Sequence, residues 1–361
     1  MKTAETSVSA LQSLYARLEQ AGLDRKFIRE TLLPDWWDDA IAEHPTGYAE
    51  ARLRIARALG LSLRQLDSED PLGEMLGETR LRCKTRRGTE PYSIRWTIAL
   101  AKRAAELATR ATPKPYEPLP ESASQIRDAI LQEHQWVSLD NLLVYCWQHG
   151  IPVIPLKAKP HTSKKVDGQI VRVGERPVIV LACGYRYSAR LLFIVAHELG
   201  HWVSGHLSSE MVLVENSITR VGGSREEAEA NWFAVELLAG DPDRAYWVPR
   251  FLTASQLAER ARKVGERDGV DPGVVALNCA WNEGCWAMGM GTLKILEPEP
   301  KGAQTLQQRM LEYLDLRRLP EEKARLLLRL TGARRVGGNI RYTVEGGCQV
   351  WVLHTKSLRK F

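Results

Sequence analysis

Five consecutive residues, His197-Glu198-Leu199-Gly200-His201, set two imidazoles four positions apart and place a carboxylate directly after the first. On a helix, positions i and i+4 stand one above the other on one face, so both rings can address one point. Zinc suits that arrangement. It accepts neutral imidazole nitrogens at about 2.0–2.1 Å, and a catalytic centre adds a third protein ligand and keeps one position open. Glu198 lies on the flank of the same point, where it can take the proton from a water attacking an amide carbonyl. These residue types at this spacing are suited to metal-assisted hydrolysis, with His197 and His201 as metal ligands and Glu198 as base.

A five-residue motif arises by chance in long chains, so its context must carry weight. The motif sits inside Leu-Leu-Phe-Ile-Val-Ala-His-Glu-Leu-Gly-His-Trp-Val, residues 191–203. Leu192, Val195, Ala196, Leu199 and Val203 form one stripe at three- and four-residue spacing, which predicts a helix packed on a core. The histidines lie roughly opposite that stripe with Ile194 beside them, so the second face is also expected to be enclosed. Ionisable groups buried there need partners.

The third ligand must come from elsewhere. His206 follows His201 by five, not by the six of the longer three-histidine zinc motif, and reads as a helix-end residue. A second helix is predicted over Ser224 to Leu238, with Ala230, Phe233, Ala234, Leu237 and Leu238 as its buried stripe. Glu229 and Glu236 read as solvent-facing. Glu226 and Glu227 border the buried face from opposite sides, and spacing does not choose between them. Ser224-x-x-Glu227 is also a helix-capping box, a purely structural use for Glu227.

Taken together these segments resemble the ImmA/IrrE family of metallopeptidases. The matching run starts at Arg176-Pro177-Val178-Ile179-Val180, continues through Arg190 to His201, and ends with Glu227-Ala-Glu-Ala-Asn231-Trp-Phe233-Ala234-Val-Glu-Leu-Leu238. The family's E-x-x-x-N-x-F-A pattern falls on Glu227, Asn231, Phe233 and Ala234, which implies Glu227 as the third zinc ligand. Ala239-Gly240-Asp241-Pro242 stands where the family usually has a proline after the paired leucines. The segment Leu257 to Ala276 looks like the helical pair that follows the peptidase core, and the resemblance covers about residues 124–282. It implies an α+β, mainly helical fold: a gluzincin-like core of small sheet plus zinc-binding helix, with flanking helical domains. It also implies a Zn2+ cofactor and a protein substrate, a helix-turn-helix repressor whose cleavage induces a stress, mobile-element or defence response. Some members instead carry a fused helix-turn-helix module and act as regulators beside toxins.

The elements that must hold these residues follow from the rest of the chain. Residues 1–75 read as short helices. Ile55-Ala-Arg-Ala-Leu-Gly60-Leu-Ser62 resembles the end of a degenerate Cro/repressor-type helix-turn-helix, so contact with DNA is expected, if anywhere, through this N-terminal region. Residues 76–123 hold a basic alternation (Arg80, Arg82, Lys84, Arg86, Arg87), a helix from Pro91 to Ala108, and a linker with four prolines between 111 and 120 that no helix or central strand survives. The peptidase-like domain is expected over 124–250, starting with a helix from Ser124 to His149. It carries short strands at Ile151–Leu156 and Val178–Ala182, the latter offering an edge for substrate pairing. A helical pair is expected over 251–295. Residues 296–361 read as two helices and a hairpin, Ile340–Val344 with Gln349–Leu353.

Composition bounds the setting. Of 361 residues, 44% are hydrophobic and 26% charged, as in an ordinary globular chain of two or three domains. There is no apolar leader and no run of about 18 apolar residues, so a cytoplasmic chain without membrane contact is expected. Six scattered cysteines contain no C-x-x-C pair, which fits a reducing compartment. A net charge of +6 permits nucleic-acid contact without requiring it. The competing reading is a DNA-binding or antitoxin-like regulator whose zinc site is structural or vestigial. Glu198 separates the two, because a structural site has no use for a base.

Overall fold

The structure, a computed structural model, describes residues 2–68, 92–158, 167–182, 184–207, 212–214, 224–247, 252–335, 341–343 and 349–351. The basic alternation at 80–87 lies outside them. The N-terminal helices are α1 (Lys2–Gln20), α2 (Arg25–Phe27), α3 (Pro45–Leu59), α4 (Leu63–Asp67) and α5 (Tyr92–Ala111). Then come α6 (Ala123–Leu131), α7 (Leu139–Gln148), β1 (Val153–Pro155), β2 (Gly168–Val173), β3 (Arg176–Leu181), α8 (Ser188–Val203), β4 (Val212–Val214) and α9 (Arg225–Ala239). The C-terminal part holds α10 (Ala254–Asp268), α11 (Pro272–Glu283), α12 (Trp286–Leu296), α13 (Gly302–Tyr313), α14 (Glu321–Thr331), β5 (Arg334–Arg335), β6 (Arg341–Thr343) and β7 (Gln349–Trp351). The fold is α+β and mainly helical, as the sequence leads one to expect. No described helix is long and apolar enough to cross a membrane.

The main sheet has the order β1-β3-β2-β4. β1 runs parallel to β3, and the other two pairings are antiparallel. Side chains alternate across a strand, and here the two faces feed two different cores. Ile170, Ile179 and Leu181 pack with Leu192, Val195 and Leu199 of α8. Val171, Val178 and Val180 pack instead with Trp96, Leu100 and Leu107 of α5 and with Leu327 and Leu330 of α14. That second core joins α1, α3 and α5 to the last helices, so it crosses the sequence intervals 1–75, 76–123 and 296–361. The sheet is buried on both faces, which explains why β3 reads as an unbroken branched run.

Several expectations change. β3 lies between β1 and β2, so the stretch Val178–Ala182 has no free edge. The outer strand beside β2 is β4, and no other described strand pairs with it. The helix expected over Ser124 to His149 is broken between α6 and α7, where Ser138 starts α7 with a capping box. β2 and α12 were not anticipated. In the N-terminal region, α3 ends at Gly60 and α4 is a five-residue helix with Leu66 buried. The C-terminal hairpin forms between β6 and β7, with Tyr342 opposite Val350.

Candidate metal centre

α8 is anchored at its N-terminal end. Its N-cap, Tyr187, gives no side-chain bond. Glu297, beyond α12, supplies the cap instead: its carboxylate accepts from the Ser188 amide and hydroxyl, both at 2.8 Å. An anion here also complements the positive end of the helix dipole. α9 is held at its opposite end by Arg127 of α6, whose guanidinium donates to the carbonyls of Leu237 (3.2 Å), Leu238 (2.8 Å) and, across the gap, Gly269 (2.7 Å). A cation at the C-terminal end of a helix satisfies carbonyls that have no partner within it.

Between these anchors the two helices touch at Gly200. A Cβ there would stand 2.9 Å from the Ala230 carbonyl oxygen and 3.1 Å from the Phe233 Cβ. The glycine of the motif is what lets α9 approach closely enough to bring Glu227 to the histidines. Replacing it with valine should destabilise the fold by about 1–3 kcal/mol through overpacking and weaken metal uptake in step. Unchanged denaturant midpoint and metal affinity in Gly200→Val would contradict this contact.

The side chains converge. His197 and His201 are fully buried, and their Nε2 atoms lie 3.0 Å apart. Glu227 sets Oε2 3.7 Å from His197 Nε2 and Oε1 3.7 Å from His201 Nε2. Among the described residues, His197, His201 and Glu227 form the group of three donors able to hold a metal ion, all within 4.8 Å of one another. Donors about 2.0–2.1 Å from one tetrahedral centre stand about 3.3 Å apart, so separations of 3.0 and 3.7 Å straddle what zinc needs. Burial, and then the neighbouring His197 and His206 rings, push the His201 imidazolium down to about 2, so the ring is neutral with a lone pair to give. The Ser224 hydroxyl does cap the Glu227 amide, at 3.4 Å. The Glu227 carboxylate nevertheless faces the rings, so the cap does not exhaust the residue.

Glu198 is 1% exposed and stands outside the donor group. It lies against the start of β2: a Cβ on Gly168 would come within 2.8 Å of Glu198 Oε1 and 2.6 Å of Ile194 Cγ2. Glycine at this position leaves room for the carboxylate between strand and helix. Tyr185 and Arg190, which stand near the motif in sequence, instead converge on buried Asp167, with the tyrosine hydroxyl 3.1 Å and the guanidinium 3.6 Å from its carboxylate.

Two residues behave differently from their sequence reading. Glu229 is not simply solvent-facing, since it accepts from His206 Nε2 at 2.9 Å and from Arg225 Nε at 2.6 Å. Those two partners, the histidine first, hold its carboxyl below the usual range. His206 does follow the end of α8, but its Nδ1 faces His201 Nδ1 at 2.9 Å. Helical periodicity does not foretell the Glu229–His206 pair, because it depends on how α9 crosses α8.

Residues 146–260 match the family model described as the IrrE N-terminal-like domain, peptidase family M78, so this stretch is similar to the ImmA/IrrE peptidases. The match runs from the end of α7 into α10 and takes in the motif helix and Glu227. No curated protein and no solved structure matches the chain.

Proposed function

We propose that this protein is a zinc-dependent endopeptidase in which His197, His201 and Glu227 hold the metal and Glu198 is the catalytic base. The observation that carries the reading is the convergence of two buried imidazoles and one carboxylate, with a second carboxylate beside them that is not part of the donor set. His197, His201 and Glu227 would hold a zinc ion, which when bound would supply a Lewis acid for the scissile carbonyl and for water. Glu198 takes the proton of the attacking water and returns it to the amine nitrogen as the peptide bond breaks. Its burial against Gly168 and Ile194 fixes it in place. Burial also lowers the polarity around the carboxylate, which strengthens its pull on that proton.

The substrate side follows from the sheet. β4 is antiparallel to β2, and its last residue, Val214, lies opposite Gln169, next to the glycine that abuts Glu198. An extended segment pairing with the outer side of β4 would be led toward the base. Extended chain favours a linker over a folded helix. The family resemblance suggests a helix-turn-helix repressor as the protein cleaved, in the cytoplasm, to induce stress, mobile-element or defence genes. We also read 124–250 as the peptidase unit and the N-terminal helices as the part to test for DNA contact.

Glu227→Gln tests the ligand set. The amide keeps the shape and loses the charge, so zinc affinity should fall by at least about tenfold, on the scale of one lost charge-assisted bond. Glu236→Gln, on the same helix, should leave affinity unchanged. Equal affinities for the two variants would remove Glu227 from the site.

A further inference from the structure

The bonds behind His201 form a directional chain. Glu229 presents Oε2 to His206 Nε2 at 2.9 Å, and His206 presents Nδ1 to His201 Nδ1 at 2.9 Å. Arg225 holds the other carboxylate oxygen of Glu229 at 2.6 Å. A carboxylate only accepts, so the proton of the His206 ring is on Nε2. In the neutral ring, Nδ1 is then a bare acceptor. Were His201 Nδ1 also bare, two lone pairs would face each other at 2.9 Å. With His206 neutral, His201 carries its proton on Nδ1, and its lone pair is on Nε2, the atom 3.0 Å from His197 Nε2. Glu227 and Glu229, two residues apart on α9, thus straddle His201. One faces its Nε2 at 3.7 Å, and the other acts on its Nδ1 through His206.

We propose that His206 and Glu229 are positioning residues for the metal centre, fixing His201 in the Nδ1–H tautomer and in the ring orientation that aims Nε2 at the metal. The proposal rests on the reading of His197, His201 and Glu227 as a metal site. A filler role for His206 would need only a polar contact at the end of α8. The structure has more: a ring 8% exposed, bonded through both nitrogens, ending on a carboxylate clamped by an arginine. Partners of this kind typically change metal affinity about 10–100-fold when removed.

The test uses the purified full chain, stripped of metal and titrated with zinc against a chelating indicator. His206→Leu should bind zinc about 10–100-fold more weakly than wild type. His206→Asn keeps a carbonyl acceptor near the position of Nδ1 and should recover most of that loss. Glu229→Ala should weaken binding in the wild-type background and have little further effect beside His206→Asn, because asparagine needs no carboxylate to set its acceptor. Long-range proton–nitrogen correlation spectra of the metal-free wild type should show His201 protonated on Nδ1. This readout and Glu229→Ala, a partly exposed position, keep the test in force if His206→Leu does not fold. Wild-type affinity in folded His206→Leu, equal losses in the leucine and asparagine variants, or a proton on His201 Nε2 would each overturn the proposal alone. A wild-type chain that takes up no zinc would overturn the metal-site reading beneath it.

Discussion

Glu198→Gln should leave the chain folded and fully loaded with zinc while slowing peptide cleavage by about 10²–10⁴-fold, the usual worth of a positioned general base. The two halves of that result have separate causes. Zinc is retained because Glu198 stands outside the group formed by His197, His201 and Glu227. The fold is retained because the amide has the size of the carboxylate, and the space between α8 and Gly168 is filled either way. Removing a charge from a side chain that is 1% exposed also lowers a desolvation cost. Only the proton acceptor is lost. Zinc content by elemental analysis, thermal unfolding and single-turnover cleavage together distinguish this from general damage.

His197→Ala and His201→Ala should take zinc from about one per chain to none, and cleavage with it. Each removes one of three donors from a site in which both rings are fully buried, so water cannot easily substitute. A second consequence comes from linkage. A metal that binds only the folded chain stabilises it by about 2.7 kcal/mol at a hundredfold excess over Kd. The wild-type midpoint should therefore rise on adding zinc, and the midpoints of the two variants should not. A zinc-dependent rise in either variant would place the metal elsewhere.

Much of this centre is legible in the sequence, for a physical reason. The spacing of His197, Glu198 and His201 is fixed by the helix itself, so a one-dimensional pattern carries the three-dimensional relation. The strand β3 and the buried stripes of α8 and α9 are legible for the same reason, since periodicity reports burial. Glu227 is less so. The stripe leaves Glu226 and Glu227 open, and the choice came from the family pattern. What escaped the sequence depends on contacts between distant segments. The cap of α8 comes from Glu297, the clamp on α9 from Arg127, and the partner of His206 from Glu229. Strand order escaped as well. A run of branched residues such as Val178–Ala182 suits either an edge or an interior strand, and only the pairing with β1 and β2 puts it inside. Gly168 and Gly200 look like helix or strand breakers until the atoms their missing side chains make room for are seen.

The most direct test of the account compares cleavage of one protein substrate by wild type and Glu198→Gln at equal zinc content. The substrate of first choice is a co-encoded helix-turn-helix repressor, offered with and without its DNA. The account predicts a cut in an extended linker of the repressor by wild type, and a rate lower by about 10²–10⁴-fold with the variant. If both proteins carry zinc, and both relieve repression of the target promoter equally without cutting the repressor, the peptidase reading is contradicted. The metal would then serve the fold of a regulator.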